Sequence, residues 1–117
     1  MAVLELTTGL IENPAVAGLR STSTLAVRIT NDDTATVAIQ INGFYLDGTT
    51  KVQYVTEFFT LNTGSVASRN YYAQFEGFEF QFSASSLAVQ VSAWGKDSTG
   101  RLNAAHRIVA REFDPFS

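Results

Sequence analysis

The sequence predicts an all-β protein: a single antiparallel β-sandwich, jelly-roll-like, of about eight strands. Three observations point there. The composition is rich in the β-branched and aromatic residues that suit a pleated, half-buried surface, with 45% hydrophobic and 12% aromatic residues. Apolar residues recur with a period of two along most of the chain, as half-buried strands require. The only two prolines, Pro14 and Pro115, lie near the ends and leave the central strands uninterrupted. At 117 residues the chain suits one hydrophobic core.

Taken in order, residues 2–20 form a segment of their own. Leu4, Leu6, Thr8 and Leu10 alternate with Glu5, Thr7 and Gly9, and Asn13-Pro14 and Gly18 then break the pattern. From Thr22 to Thr30, Leu25, Val27 and Ile29 share one face. Asn31-Asp32-Asp33 is a turn. Val37, Ile39 and Ile41 point inward, and Gly43 then shifts the phase to Phe44 and Leu46, which predicts a bulge or a bend. Asp47-Gly48 marks a hairpin, with Lys51 to Leu61 as the return strand. Asn62-Thr63-Gly64 is the next turn, followed by a strand from Val66 to Phe75.

Phe78, Phe80 and Phe82 then alternate with Glu79 and Gln81, the strongest such signal in the chain. Ser83 to Ser86 reads as a turn, and Leu87, Val89, Val91 and Ala93 as an inward row. Leu102 to Phe113 is the last strand, ended by Asp114-Pro115; its alanines give Asn103 to Val109 some helical propensity, outweighed by Ile108, Val109 and Phe113. The division expected is an N-terminal connector arm over 1–20 and a sandwich domain over 21–117.

The sequence offers little for chemistry. There is no cysteine, which removes disulfides, thiolate metal sites and cysteine nucleophiles. The single histidine, His106, has Glu112 and Asp114 nearby in sequence, but nothing groups it with a nucleophile. Asp32-Asp33 lacks the carboxylate spacing of a calcium loop. Glu76 and Glu79 point to opposite faces of a strand, which keeps them from acting as a glycosidase pair. No phosphate-binding glycine motif occurs. The expectation is a protein that is not an enzyme and that needs no cofactor or metal.

Eight scattered basic residues and a net charge of −3 argue against a nucleic-acid partner. No stretch reaches the roughly 18 apolar residues of a membrane span, and the N-terminus lacks the basic and apolar regions of a secretion signal.

Two features remain. The N-terminal arm has the character of a strand that can add to a neighbour's sheet, with Val3, Leu4, Leu6, Leu10 and Ile11 at the subunit interface and Asn13, Pro14 and Gly18 as the connector hinge. An ordinary first strand in the chain's own sandwich is the competing reading. The fourteen aromatics are the second feature. Trp94, on the face opposite Val89 and Val91, belongs to the core, to a subunit interface, or to a platform with Tyr71 and Tyr72 that stacks on sugar rings. The outward faces are rich in Thr, Ser, Asn and Gln, with only Lys51 and Lys96 as lysines, a pattern that favours association between strands.

The arm, the run Ser23-Thr24-Leu25-Ala26-Val27-Arg28-Ile29-Thr30-Asn31, the Phe44-Tyr45-Leu46-Asp47-Gly48 hairpin and the strand Val91-Ser92-Ala93-Trp94-Gly95 together resemble the endospore appendage (Ena-like) fibre subunits of spore-forming Firmicutes. That resemblance implies a short jelly-roll subunit whose N-terminal connector docks into the next copy. It also implies synthesis without a secretion signal and display on the spore surface. The better-known subunits carry cysteines in the connector and cross-link covalently, so this chain resembles a cysteine-free type. The expected function is a self-assembling, pilus-like extracellular fibre whose partner is the chain itself, built directly or through rings or trimers and completed by anchor or tip proteins. The alternative is a carbohydrate- or surface-binding module that uses the exposed aromatics.

Overall fold

The computed structural model describes residues 3–110. Within them lie ten strands and no helix: β1 (Leu4–Thr7), β2 (Ile11–Glu12), β3 (Thr24–Asn31), β4 (Val37–Asp47), β5 (Thr50–Leu61), β6 (Val66–Tyr72), β7 (Gly77–Ala84), β8 (Val89–Lys96), β9 (Leu102–His106) and β10 (Val109–Ala110). They form two antiparallel sheets. One has the order β10-β1-β7-β4-β5, with β2 also paired to β7; the other has the order β6-β3-β8-β9. This is the expected β-sandwich. The strand count exceeds eight because the first and last strands are each broken in two. The expected strand from Leu102 to Phe113 divides at Arg107-Ile108, and its end, with Asp114-Pro115, lies outside the described residues.

The core follows from the period-two pattern. Leu25, Val27 and Ile29 of β3, Val37, Ile39 and Ile41 of β4 and Phe78, Phe80 and Phe82 of β7 are all buried. Each such side chain contributes about 1.5–3 kcal/mol when fully buried. At one end of the sandwich the core is aromatic: Tyr71 stacks on Phe80 at 4.9 Å and Tyr45 on Phe75 at 4.7 Å, with Tyr54 edge-on to Tyr45, Phe75 and Phe80. Val89 and Ala93 of β8 face this core as the alternation predicts, but Leu87 lies outside the strand and is exposed. The turn expected at Ser83 starts later, since β7 continues through Ala84, which is buried.

The bulge near Gly43 is present, but on the partner strand. Gly43 pairs with Val55 and Phe44 with Gln53, so the extra residue is Tyr54 of β5. β4 therefore keeps its phase, and Tyr45 rather than Phe44 and Leu46 points into the core. Gly43 serves a different end. A Cβ there would lie 2.5 Å from Phe80 Cε2 and 2.9 Å from Val55 Cβ, so the missing side chain makes room for the Phe80 ring.

The outer edges of β5 and β6 meet at one side of the sandwich, and this side is guarded. Arg69 donates to Glu57 at 3.0 Å, the Tyr71 hydroxyl donates to Glu57 at 2.6 Å, and the Tyr54 hydroxyl donates to the Tyr72 carbonyl. Arg69 also lies over the Phe59 ring at 4.4 Å. Charges turned inward and a bulge are devices that keep edge strands from pairing with other chains. The expectation of unguarded strands is thus corrected at this side: the scarcity of lysine is made up by an inward Glu–Arg pair.

Gly43→Ala is expected to lower stability by about 1–3 kcal/mol through overpacking against Phe80 and Val55, read as a lower midpoint in urea. An unchanged midpoint would mean that the ring can move aside at no cost.

Candidate functional site

The segment singled out in the sequence lies along β7. β1 pairs with β7 from Leu4↔Ala84 to Thr7↔Gln81, and β2 pairs as Ile11↔Phe78 and Glu12↔Gly77. Backbone bonds extend the contact at both ends, Val3 N to Ala84 O at 2.9 Å and Asn13 N to Glu76 O at 2.8 Å. Residues 3–13 therefore cover one whole edge of β7, while β4 covers the other. On its far side β1 is met by two residues of β10, Val109 and Ala110.

The pairing contains a one-residue bulge. Between Thr7↔Gln81 and Ile11↔Phe78 the arm advances four residues and β7 three. Gly9, at φ 67°, sits in that bulge. Its left-handed backbone is one that glycine adopts without penalty. The consequence is a change of parity. Leu4 and Leu6 face inward and pack against the core, and beyond the bulge the inward residue is Ile11. Leu10, expected as an anchor from strict alternation, is 49% exposed, and Val3 is exposed as well. The anchors are thus Leu4, Leu6 and Ile11.

On the outer face a polar contact ties the arm down. Glu79 of β7 is 8% exposed. Its carboxylate accepts from Thr7 Oγ1 at 2.6 Å, from Lys51 Nζ at 2.5 Å and from Gln81 Nε2 at 3.3 Å. Lys51 in turn lies over the Phe44 ring. Burial pushes the Glu79 carboxyl up, but the bonds from Lys51, Thr7 and Gln81 outweigh it and hold the group below the usual carboxylate range. β1 and β5, on opposite sides of β7 and β4, are thereby linked through one buried charge.

The expected hinge divides. Asn13 is 3% exposed. Its Nδ2 donates to Thr22 O at 2.8 Å and Ala73 O at 2.9 Å, and its Oδ1 accepts from Thr22 N at 3.1 Å. Asn13 is therefore a fastening rather than a pivot, a correction to the sequence reading. A buried side-chain amide is costly unless bonded, and these backbone partners are what fix it. Arg20 adds a bond to the Asn13 carbonyl at 2.7 Å and an ion pair with Glu76 at 3.1 Å. Pro14 and Gly18 lie in the exposed loop between these fastenings. There Val16 and Leu19 exchange backbone bonds at 2.7 and 3.0 Å across a two-residue turn. Both central residues have positive φ, Ala17 at 54° and Gly18 at 79°. For Ala17 this conformation costs about 1–2 kcal/mol.

The aromatic platform is not assembled as the sequence suggested. Tyr71 points into the core at 8% exposure and holds Glu57, whereas Tyr72 is 59% exposed and edge-on to Phe75. Trp94 is half-buried on the outer face of its sheet, in register with Ala26 and Ala105. Trp94 and Tyr72 share that face, and Tyr71 lies on the other.

Of the chemical candidates, His106 is edge-on to Phe78 at 6.2 Å with a buried, unpartnered Nε2, and burial holds its pKa below the usual value. Glu112 and Asp114, its neighbours in sequence, lie outside the described residues. Asp33 is engaged in its own turn, accepting from Thr34 N and Ser86 Oγ. Glu76 is paired with Arg20 and Glu79 with Lys51. No group of three His, Asp or Glu side chains suited to a metal ion occurs among the described residues, and no helix there is long and apolar enough to cross a membrane. No protein-family model, curated protein or solved structure matches this chain.

The residues that sequence reasoning missed are Thr7, Thr8, Gly9 and Glu79. A signal for them existed: a glycine inside an alternating strand often marks a bulge.

Two measurements check this geometry. Asn13→Ala leaves the Thr22 and Ala73 backbone groups without their partner and is expected to cost about 2–3 kcal/mol, seen as a lower unfolding midpoint. An unchanged midpoint would mean that water replaces the amide. Glu79→Gln is expected to cost about 2 kcal/mol at pH 7. A carboxylate with a depressed folded-state pKa stabilises above its unfolded pKa, and that contribution is lost as pH falls through the folded value. The gap between wild type and Glu79→Gln therefore narrows as pH falls from the ordinary glutamate pKa of about 4.3 through the lower folded value. A gap that stays constant as pH falls through the carboxylate range would show that the cost comes from altered packing.

Proposed function

We propose that the chain is a structural subunit that assembles into a non-covalent fibre by exchanging its N-terminal strand between copies. The reading rests chiefly on how residues 3–13 are held. Almost everything that fastens them belongs to β7, to Glu76 or to Thr22 and Ala73, and a second copy presents the same groups. The segment is joined to its own sandwich by an exposed loop. Residues 14–21, if extended, reach about 28 Å, enough to carry the strand to an adjacent subunit.

Further support comes from the loop and the edges. The Ala17 turn is strained, and short strained connections favour exchange of a terminal element. The β5–β6 side is guarded by Glu57 and Arg69, which turns association away from that side. Exchange between copies is a head-to-tail contact, which extends into a filament wherever the rotation does not close. With no cysteine in the chain, strand addition and packing would hold such a fibre. The resemblance to spore appendage subunits fits this reading and suggests the spore surface as its place. A catalytic role forms no part of it.

Negative-stain electron microscopy of the purified protein, without added partner, tests the proposal. Uniform fibres are expected from the full chain, none from a chain lacking residues 1–13, and fibres again from Trp94→Ala. Compact particles alone from the full chain at high concentration, or fibres from the truncated chain, would overturn it.

A further inference from the structure

Strand addition by itself is permissive. Backbone bonds give affinity to almost any extended segment, and specificity comes from alternate side chains. Leu4 and Leu6 supply little of that specificity. A slip of two residues keeps the same face inward and sets one leucine where the other was. Something else must define the alignment, and the bulge has the features required.

Within it the side chains and backbone are tied to β7 at consecutive points. Thr7 Oγ1 donates to Glu79 Oε2 at 2.6 Å and accepts from Gly9 N at 2.9 Å. Thr8 N donates to Phe80 O at 3.0 Å. Thr8 Oγ1 accepts from Phe80 N at 3.1 Å and donates to Gly9 O at 2.8 Å. The Thr8 hydroxyl thus takes the ladder bond that the bulged backbone leaves open. Gly9 supplies the left-handed turn that lets both hydroxyls reach. A slipped strand would lose the Thr8–Phe80 pair and leave the buried Glu79 without its threonine.

We propose that Thr7, Thr8 and Gly9 form a register key, read by Glu79 and the Phe80 backbone, that admits the N-terminal segment of a second copy of this chain to the β7 edge in one alignment only. This rests on the strand-exchange reading for its partner; the key itself is a property of the β1–β7 pairing. It makes Thr7 and Thr8 specificity-determining, and Leu4, Leu6 and Ile11 the residues that fill the core.

The absence of cysteine gives a direct test. Glu5 and Ser83 are register partners on the outer face. Cross-strand partners lie about 4.5–5.5 Å apart at Cα, within disulfide range. In the full chain carrying Glu5→Cys and Ser83→Cys, oxidation is expected to cross-link the native register. A ladder on a non-reducing gel means exchange between copies, and a single band of altered mobility means pairing within one copy. Adding Thr7→Val and Thr8→Val is expected to lower the cross-link yield about tenfold. It should also raise the yield of a second reporter, Glu5→Cys with Gln81→Cys, which reads a two-residue slip. Thr7→Ser with Thr8→Ser keeps the hydroxyls and is expected to retain the native yield, separating the key from general packing.

An unchanged native-register yield in the valine variant overturns the inference, as does an equal loss in the serine variant. A single band in place of a ladder, with the valine variant still losing yield, overturns strand exchange and the second-copy partner while leaving the register key standing within one chain.

Discussion

Strand β7 must have both of its edges covered, and the rest of the structure depends on that. It drives Phe78, Phe80 and Phe82 into the core and is the most deeply placed strand of its sheet. β4 satisfies one side of its backbone. The other side would present a row of unpaired amides and carbonyls beside Phe78 and Phe80, the largest fully buried side chains among the described residues, an arrangement that is costly if buried and sticky if exposed. Residues 3–13 answer this requirement. Leu4, Leu6 and Ile11 extend the core, Thr7 reaches Glu79, and Asn13 pins the far end. The Gly43 gap on the opposite side meets the same demand, since it lets the Phe80 ring lie against β4 without displacing it.

The two sides of the sandwich are closed by different physics. At the β5–β6 side, single residues do the closing: Tyr54 bulges inward, and Glu57 holds both Arg69 and the Tyr71 hydroxyl. Desolvation pushes the Tyr71 hydroxyl to a higher pKa, while its bond keeps Glu57 below the usual carboxylate range. Such side-chain closure leaves no strand-shaped vacancy for another chain. Along β7, closure is by a strand, β1 with β2, which is joined to the rest of the sandwich through the loop over residues 14–21. Such a strand is the kind of element that copies of a chain can trade, because its contacts are indifferent to which copy supplies it.

The sequence is legible where burial alone decides. The alternation in β3, β4 and β7 identifies the buried rows because a residue there has only two faces to choose between. It misleads where a local backbone irregularity resets the count. Gly9 turns Leu10 outward and Ile11 inward. The bulge near Gly43 lies on Tyr54, so Phe44 and Leu46 face outward. A period-two reading has no means of telling which strand of a pair carries the extra residue, because the bulge is fixed by the pairing. Asn13 shows a related limit. Asn-Pro is a fair turn signal, yet its role here comes from Thr22 and Ala73, and Ala73 is sixty residues away. Glu79 looked like an outward charge in an alternating strand; Lys51 and Thr7, both distant in sequence, make it a buried one.

The proposed exchange has an energetic simplicity that follows from this arrangement. If residues 3–13 make the same contacts in their own subunit and in the next, the strength of those contacts cancels between closed and linked forms. What remains is the state of the connecting loop against the entropy lost on association. Opening the loop relieves Ala17 and gives up the two backbone bonds between Val16 and Leu19, while association costs several kcal/mol or more at a standard concentration. A balance of that kind is set by concentration and by the loop, while the anchoring leucines set how slowly either form lets go. The register key then acts on a separate axis. It does not favour linked over closed, because both forms satisfy it. It ensures that whichever copy supplies the strand, the strand arrives in the same alignment, and successive copies related by one repeated contact are what a uniform fibre requires.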